Sequence, residues 1–456
     1  MPPHTIFRLN KIVILLGLLL AAISSNVLAT NGYFSHGISN SERAMGGAGV
    51  ANPSGAMSVE VNPANIARLE NSQEVIITAF SPDRSYSANG GPAFAPGTLC
   101  GAACPFSIGD GNQTLTSKGT LFFIPSFAMN RRINDHSAWA FAFVARGGMN
   151  TEWEGGTAIL GTPTGFNAEL PGTFGAGKTY SDLKQIALKG SYAYQLNNDF
   201  DLGVSLIFHY QTFEAEGLGN FAAFSLNPAN LSNKGSDNSN GLGFQIGASW
   251  HVSDKLTFSA SYQPKTDMSE FDSYSGLFAK QGDFDLPENY TLGARVNTDH
   301  YTFLLDMQQI NYSGVTSLGN GITALANGTC VAGPTGGTGA SCLGGNTGAG
   351  FGWDDMTIYK IGMQRSLSNG HAIQAGYSYG EHPIPESEVV FNILAPAVIE
   401  QHYTAGYTML NQANNGWKFS FMYAPNKSVS GTNPFDLAQT ITLEMSQWEF
   451  SFGYQF

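Results

Sequence analysis

Apolar and polar residues alternate along most of the chain beyond residue 72. The alternation has a period of two, which is that of an extended strand with two unlike faces, and no segment of this kind fits a helical period. Segment 202–210 has a mostly small or polar face on which Ile207 is the apolar exception. Its other face is wholly apolar: Leu202, Val204, Leu206, Phe208 and Tyr210. The pattern recurs at 256–263 and 417–423, so the chain is predicted to be all-β.

The connections between these strands are alternately short and long. The turn Asn197-Asn198 is a short one, whereas 83–117 and 314–354 are long. Outer-membrane barrels alternate in this way because their periplasmic turns are short and their extracellular loops are long. The segments correspond to about fourteen strands of bilayer-crossing length. We therefore predict a transmembrane antiparallel β-barrel over 72–456, since an exported soluble β-sandwich would leave the alternation of connections unexplained.

Both ends of the chain fit export to the outer membrane. Arg8 and Lys11 precede an apolar run at 12–23 and a small-residue cleavage site, which predicts a secretory signal peptide over 1–29. The run is too short for a membrane-spanning helix, which needs about 20 apolar residues. At the other end, an outward row of aromatic residues finishes at Phe456. An aromatic final residue looks like the terminal signal that the barrel-assembly machinery reads.

The composition supports a barrel and restricts the partners. Only 12% of the 456 residues are charged, against about 25% in soluble domains. The mean hydropathy of −0.09 is nevertheless too polar for a bundle of membrane helices. The formal charge of −13 at pH 7 argues against a nucleic-acid partner, because phosphate contacts need basic clusters. We expect a monomer surrounded by outer-membrane lipid.

Catalytic and metal chemistry find little support. No Gly-x-Ser-x-Gly elbow is present, and we expect neither an enzyme nor a cofactor or metal site. Four cysteines lie in two of the long connections: Cys100, Cys104, Cys330 and Cys342. Exported cysteines usually pair, so two local disulfides are the simplest arrangement, with pairing between the loops as the alternative.

Residues 30–71 lack the alternation of the strands and are rich in Gly, Ala and Asn. Three motifs follow one another there: Asn31-Gly-Tyr-Phe-Ser-His-Gly37, Met45-Gly-Gly-Ala-Gly-Val-Ala51 and Asn62-Pro63-Ala64. In this order they resemble the N-terminal hatch of the outer-membrane long-chain fatty-acid transporters of the FadL/TodX type, a family that includes carriers of aromatic hydrocarbons. The resemblance continues in Phe123-Ile-Pro125 and Gly148-Met-Asn-Thr-Glu-Trp153.

The resemblance implies a fourteen-stranded barrel in the bacterial outer membrane, with residues 30–71 as a hatch in its lumen. Hydrophobic substrate would enter from outside, reach a pocket near the mature N-terminus and leave sideways where the third strand bends, driven only by its gradient. Long-chain fatty acids are the first expectation, and aromatic or aliphatic hydrocarbons are the alternative. A general porin is a further alternative, in which residues 30–71 would not block the lumen.

Local chemistry agrees with a lateral opening beside the third strand. Gly147 and Gly148 interrupt that strand, and a glycine pair in a strand marks a bend or a close approach. Pro125 removes a ladder donor from the second strand. We therefore predict a lateral opening at these three residues, with a bulge of no functional weight as the alternative.

Four further residues are candidates for ligand contact. Phe122 and Ile124 give the second strand an apolar lumen face, which suits a site for apolar ligands better than a water-filled pore. By the resemblance, Tyr33 and Phe34 correspond to the aromatic residue that closes the family's inner pocket. Anchoring of the hatch is the alternative role for both of them.

Charged residues at inward strand positions are the last group of candidates. A charge on the lipid face costs about 2–4 kcal/mol at the bilayer midplane, so strand phase places these in the lumen: Arg146, Lys189, His209, Arg295, Asp306, Lys360, Lys418 and Glu444. A cation such as Arg146 could hold a fatty-acid carboxylate, but we favour pairing with acids or hatch backbone. The family's basic residue on strand five is absent at Tyr210-Gln211-Thr212, which slightly favours a neutral hydrocarbon.

Overall fold

The computed structural model describes residues 31–92, 106–161 and 168–456. The predicted signal peptide and the cysteines Cys100 and Cys104 lie outside these residues. The described strands are β1 (Ser72–Gly90), β2 (Phe106–Ile108), β3 (Asn112–Thr116), β4 (Phe122–Asn134), β5 (Ser137–Trp153), β6 (Thr157–Leu160), β7 (Ala168–Pro171), β8 (Thr179–Gln195), β9 (Phe200–Glu216), β10 (Asp237–Ser253), β11 (Leu256–Gln263), β12 (Asn289–Asn297), β13 (Tyr301–Ile310), β14 (Met356–Ser366), β15 (His371–Gly380), β16 (Gln401–Leu410), β17 (Gly416–Asn433) and β18 (Asp436–Gln455).

The helices of the described residues are all short. The α-helices are α1 (Asn40–Ala44), α2 (Ala279–Gly282), α3 (Thr316–Gly319) and α4 (Thr323–Ala326). The 3₁₀ turns are Ala56–Val59, Pro63–Arg68, Gly219–Phe224, Pro228–Asn230, Asp272–Tyr274, Tyr312–Gly314, Ser368–Gly370, Glu386–Glu388 and Phe391–Ile393. Within the described part of the chain, no helix combines the length and the apolar character needed to cross a membrane.

Fourteen of the strands form a closed antiparallel barrel, which confirms the predicted fold. The order around the wall is β1, β4, β5 and then β8 to β18, and β18 returns to pair with β1. Each strand expected from the alternation has a counterpart, and β1, β17 and β18 run further into the long connections. At the long-loop end, β3 pairs with β1, and β2, β6 and β7 form a separate small sheet.

The wall has the two faces that the alternation predicts. Leu206 of β9 is 64% exposed on the outside, whereas Ser205 and His209 of the same strand are buried in the lumen. The aromatic row that ends at Phe456 is exposed on the outside as well. Lipid is the solvent for such an apolar outer surface, because a transmembrane barrel presents an apolar band to the bilayer.

Residues 31–71 lie inside the barrel and are almost wholly buried. The Ser39 hydroxyl accepts a hydrogen bond from the Glu42 amide at 3.1 Å, and the Glu42 carboxylate accepts one from the Ser39 amide at 3.3 Å. This capping box starts helix α1. The Asn62 side chain accepts from the Ala64 amide at 2.9 Å and starts the 3₁₀ turn Pro63–Arg68, where a first-turn proline leaves no amide to satisfy.

Glycines on six strands let the wall approach residues 31–71 closely. A Cβ added at any of them would lie within 2.5 Å of an atom of that segment: Gly203, Gly247, Gly293, Gly362, Gly376 and Gly406. At Gly376, for example, the distance to the Gly46 nitrogen would be 2.2 Å. Since van der Waals contacts begin beyond 3 Å or so, no side chain fits at these positions. We call this set the glycine belt.

The connections 311–355 and 381–400 fold over the long-loop end of the barrel, and we call them together the lid. Cys330 and Cys342 form a disulfide within the first of these connections. The Trp353 indole donates to the Asn392 side chain at 2.6 Å, which ties the two connections together. The lid packs its apolar side chains into the core that begins inside the barrel.

Candidate functional site

The wall is incompletely paired between β4 and β5. The ladder between them runs from their short turn up to the pair Ser126–Val144 and stops there. Beyond that pair, β4 continues to Phe122 along β1, and β5 continues to Trp153 along β8. Pro125 is the first β4 residue past the last pair, and it has no amide proton with which to extend the ladder.

A short strap between β3 and β4 closes the far end of this gap. The Ser117 amide donates to the Arg84 carbonyl of β1, and the Lys118 amide donates to the Glu152 carbonyl of β5, each at 2.9 Å. The gap is thus bounded by the last β4–β5 pair at one end and by the strap at the other. We call it the lateral window.

Residues 31–35, the hatch tip, lie against β5 in the lateral window. The Gly148 amide donates to the Tyr33 carbonyl at 3.1 Å, and the Ser35 amide donates to the Arg146 carbonyl at 3.4 Å. Phe34 also forms a β-bridge with Gly147. Because β4 does not reach these backbone groups, the hatch tip replaces it as the partner of β5.

Gly147 and Gly148 do not interrupt the strand, contrary to the expectation from the sequence. Strand β5 is continuous from Ser137 to Trp153, because β8 on one side and the hatch tip on the other provide partners. The register with β8 shifts between Ala145 and Gly147, so the glycine pair lies at a β-bulge. A Cβ at Gly147 would lie 2.3 Å from the Tyr33 carbonyl oxygen, which makes glycine necessary for this approach.

The ring of Tyr33 lies at the base of a continuous apolar core. It is fully buried, and its centroid lies 5.1 Å from that of Phe34, 5.4 Å from that of Tyr312 and 6.0 Å from that of Trp353. Phe284 extends the contact at 6.2 Å. These distances are those of interacting aromatic pairs, so the hatch tip is part of an aromatic stack that is shared with the loops.

The stack continues towards the long-loop end of the barrel. Phe278 packs on Phe284 at 4.9 Å and on Phe213 at 4.6 Å. A cavity of about 20 Å³ lies here, and its lining is mainly apolar: Phe213, Leu218, Phe221, Phe278, Phe351 and Leu394. We call the stack from Phe213 down to Tyr33 the aromatic column. It is closely packed in this conformation.

Phe122 and Ile124 lie on the lumen side of β4 and are 4% and 2% exposed. They belong to the same apolar core as Tyr33 and Phe34. Their neighbour Phe123 points outwards and is 51% exposed. The inner rim of the lateral window is therefore apolar and continuous with the aromatic column.

Ion pairs fix the rest of the hatch to the wall. Lys189 and Arg146 both contact the Glu60 carboxylate, at 3.1 Å and 3.6 Å. The Arg146 guanidinium also lies 5.6 Å from the centroid of the Phe34 ring. Arg43 of the hatch pairs with Glu449 of β18. Arg146 thus has a carboxylate partner from the hatch itself.

Backbone groups of the hatch engage two more lumen charges. Lys360 donates to the His36 and Gly47 carbonyls at 3.3 Å and 3.2 Å. Asp306 accepts from the Gly49 and Val50 amides at 2.7 Å and 2.9 Å. These contacts support the interpretation that the lumen charges hold the hatch in place. Burial lowers the pKa of the nearby His36 ring below its ordinary value.

The remaining predicted lumen charges differ in their surroundings. Lys418 pairs with Glu74 at 2.5 Å, and Arg295 donates to the Thr257 hydroxyl at 3.3 Å.

The placement of Glu444 in the lumen was wrong, because it shares the outward face of β18 with Trp448. The lumen acid of that strand is Glu449. No group of three potential metal-ligating side chains was found in the described ranges.

Arg84 is a buried cation that the sequence analysis does not predict. Arg84 lies on β1, within the segment 83–117 that the sequence predicts as the first long connection, and it is 3% exposed. The continued alternation of Arg84, Tyr86 and Ala88, all of them buried, is the signal that would have extended the strand. The Arg84 guanidinium lies 5.9 Å from the Phe122 ring centroid, beside the lateral window.

A closed fourteen-stranded wall with an apolar outer face and a filled lumen defines an outer-membrane β-barrel protein. The model of one family, outer membrane protein transport protein (OMPP1/FadL/TodX), matches residues 21–446. The chain belongs to this family, whose members are outer-membrane transporters of hydrophobic molecules. No functionally curated protein matches the sequence.

Solved structures of the same fold have little sequence in common with the chain. A Pseudomonas aeruginosa FadL homologue is 14% identical with a TM-score of 0.60, over 93% of this chain and 99% of that one. The P. putida toluene transporter TodX is 14% identical with a TM-score of 0.61, over 92% and 98%. The Ralstonia pickettii toluene transporter TbuX is 16% identical with a TM-score of 0.57, over 92% and 98%. At such identities the likeness concerns the fold.

Proposed function

We propose that the protein mediates passive uptake of hydrophobic small molecules, with long-chain fatty acids as the first candidates, along the aromatic column and out through the lateral window. The observation that carries this proposal is the position of the hatch tip. Tyr33 and Phe34 end the apolar core and also occupy the β5 backbone groups that β4 leaves free. A ligand that travels down the core therefore meets the segment that fills the window.

Few backbone hydrogen bonds join the closed tip to the wall. Two backbone hydrogen bonds join it to β5, and each such bond contributes about 1 kcal/mol net. A hydrophobic ligand that takes the place of the Tyr33 and Phe34 rings would replace the burial that these rings lose, since burying an apolar group of that size is worth about 1.5–3 kcal/mol. The ligand then leaves sideways into lipid, where apolar molecules are already soluble, and its gradient drives the flow.

Neutral hydrocarbons are the second candidate substrates. The residue at the family's basic position on strand five is Gln211, which donates to the Phe284 carbonyl at 2.8 Å. Arg146 and Lys189 are engaged by Glu60. Because Glu60 already pairs with both cations, neither of them needs the carboxylate of a fatty acid as a partner. A neutral substrate therefore suits these positions.

Uptake of labelled oleate and of labelled toluene tests the proposal in cells that lack their own transporter and express this chain. Entry of either ligand above the level of empty-vector cells is the expected result. Entry of neither would contradict it. Small-ion conductance of the purified protein in planar bilayers tests the porin alternative, because a lumen filled by residues 31–71 should pass almost no current, whereas a porin conducts.

A further inference from the structure

Arg84 is a buried cation without an acidic partner. Its guanidinium Nη2 donates to the Gly119 carbonyl, and its Nε has no hydrogen-bond partner among the described residues. In the same part of the chain no carboxylate oxygen lies within 4.0 Å of it, whereas Arg43, Lys189 and Lys418 each have one. A buried guanidinium with an unused donor is costly unless a further acceptor binds to it.

The position of Arg84 links it to the exit path. A cavity of about 30 Å³ lies beside the lateral window. It is lined by Arg84, by Gly32 of the hatch tip, by residues 148–150 of β5, by residues 395–397 of the lid and by Met445 of β18. This volume is that of about one water molecule, so a larger group fits only when part of the lining, such as Gly32, withdraws. Arg84 thus shares its cavity with the segment that fills the window.

Two acids lie close to Arg84, Asp83 and Asp182. Asp83 is exposed on the outward face of β1, and Asp182 is already engaged by other residues. Asp182 accepts a hydrogen bond from the Asn150 side-chain amide at 3.1 Å and pairs with Lys184 at 2.8 Å. The Asn150 side-chain oxygen has no partner in the part of the chain that the structure describes. Arg84 therefore keeps an unused guanidinium donor beside the cavity, while Asp182 is paired with Lys184, which favours an incoming anion.

We propose that Arg84 is a specificity-determining residue, which binds the anionic headgroup of a carboxylate ligand at the lateral window once the hatch tip has moved. This inference rests on the proposed function. A guanidinium offers two parallel donors to a carboxylate, and exclusion of water by the surrounding apolar core strengthens the pair. The alkyl tail of such a ligand lies along Phe122, Ile124 and the base of the aromatic column.

Arg84→Gln and Arg84→Lys separate this role from a structural one. We would measure uptake of labelled palmitate and of labelled hexadecane, two ligands with the same chain length. With Arg84→Gln we expect palmitate uptake to fall about tenfold, as for the loss of one charged hydrogen-bonded pair, while hexadecane uptake is unchanged. Arg84→Lys should restore part of the palmitate uptake. Uptake of hexadecane but not of palmitate by wild-type cells would contradict the inference.

Arg295→Gln is the matched control, since it removes a lumen guanidinium that donates to Thr257 and lies away from the aromatic column. Its palmitate-to-hexadecane ratio should equal that of the wild type. An equal loss of both ligands with Arg84→Gln would overturn the inference and assign Arg84 to support of the strap through Gly119. An unchanged ratio would overturn it as well. If neither ligand enters wild-type cells above the background, the proposed function itself fails.

Discussion

Gly147 sets how closely the hatch tip lies against β5, and its substitution tests the tip as a gate. A methyl group in Gly147→Ala would lie 2.3 Å from the Tyr33 carbonyl oxygen, so the tip must retreat. Loss of one or two backbone hydrogen bonds, about 1 kcal/mol each, should raise uptake of oleate and toluene roughly five- to thirtyfold. Uptake assays measure this, with folding checked by heat-dependent mobility in gels.

Gly190→Ala is the control for this change. A Cβ at Gly190, on the outer face of β8, would have no atom within 4 Å. Uptake through this variant should equal that of the wild type. Unchanged uptake through Gly147→Ala, in a barrel that still assembles, would mean that the hatch tip does not limit transport.

Glu60 is the residue that connects two wall cations to the hatch. In Glu60→Gln the Lys189 ammonium, whose side chain is 0% exposed, loses its carboxylate. Breaking a buried pair in this way destabilises a structure by about 3–5 kcal/mol. We expect faster hydrogen–deuterium exchange of the amides near residues 57–62, measured by mass spectrometry of detergent-solubilised protein.

Glu154→Gln provides the comparison for Glu60→Gln, because the pair of Glu154 with Lys118 is 53% and 62% exposed. Exposed pairs contribute about 0–1 kcal/mol, so exchange in the hatch should stay at the wild-type rate. Equal exchange in both variants would show that the buried pair does not hold the hatch.

At the scale of the elements, a buried carboxylate joins the two connections that form the lid. Glu388 of its second connection accepts from the Ile322 amide of the first at 2.7 Å. Burial raises the pKa of Glu388, and the nearby Asp354 acts in the same direction. Below the ordinary glutamate pKa of about 4.3, Glu388 is neutral whether the lid is open or closed. As the pH rises through the raised pKa, the closed lid must hold a desolvated charge and becomes less stable.

Exchange of the Ile322 amide, corrected for its intrinsic rate, should therefore be slower at about pH 4 than at about pH 8. Glu388→Gln should remove this pH dependence, because the amide oxygen can still accept the hydrogen bond without a charge. Glu386, which is exposed, provides the control Glu386→Gln, in which the dependence should persist. A flat profile in the wild type would contradict this account of the lid.

The strands were predictable from the sequence because lipid and lumen impose opposite chemistry on successive residues. The ends at the long loops were not, since β1 continues to Gly90 above the region where one face must be apolar. For this reason the sequence pattern does not place Arg84 on a strand. The charge of Glu444 suggests a position in the lumen, but its spacing from Trp448 puts both residues on the outward face of β18.

At the scale of the whole molecule, the barrel followed from local patterns, but the contents of its lumen did not. The hatch tip meets β5 across more than a hundred residues of chain, and no period or turn motif records such a contact. Gly147 gave a partial signal, because glycine in a strand indicates a close approach. The register of β4 and β5 is needed to identify Tyr33 as the residue that approaches, because this register leaves the β5 backbone groups free.

The glycine belt makes the hatch and the wall a matched pair. Each belt glycine touches a particular point of residues 31–71, and the six glycines are spread from Gly203 to Gly406. A bulkier residue at a contact such as Ala44 or Gly46 would need compensating room on strands far away in the chain. The two parts are therefore expected to have changed together during evolution, and a hatch transplanted from a distant relative should fit this barrel poorly.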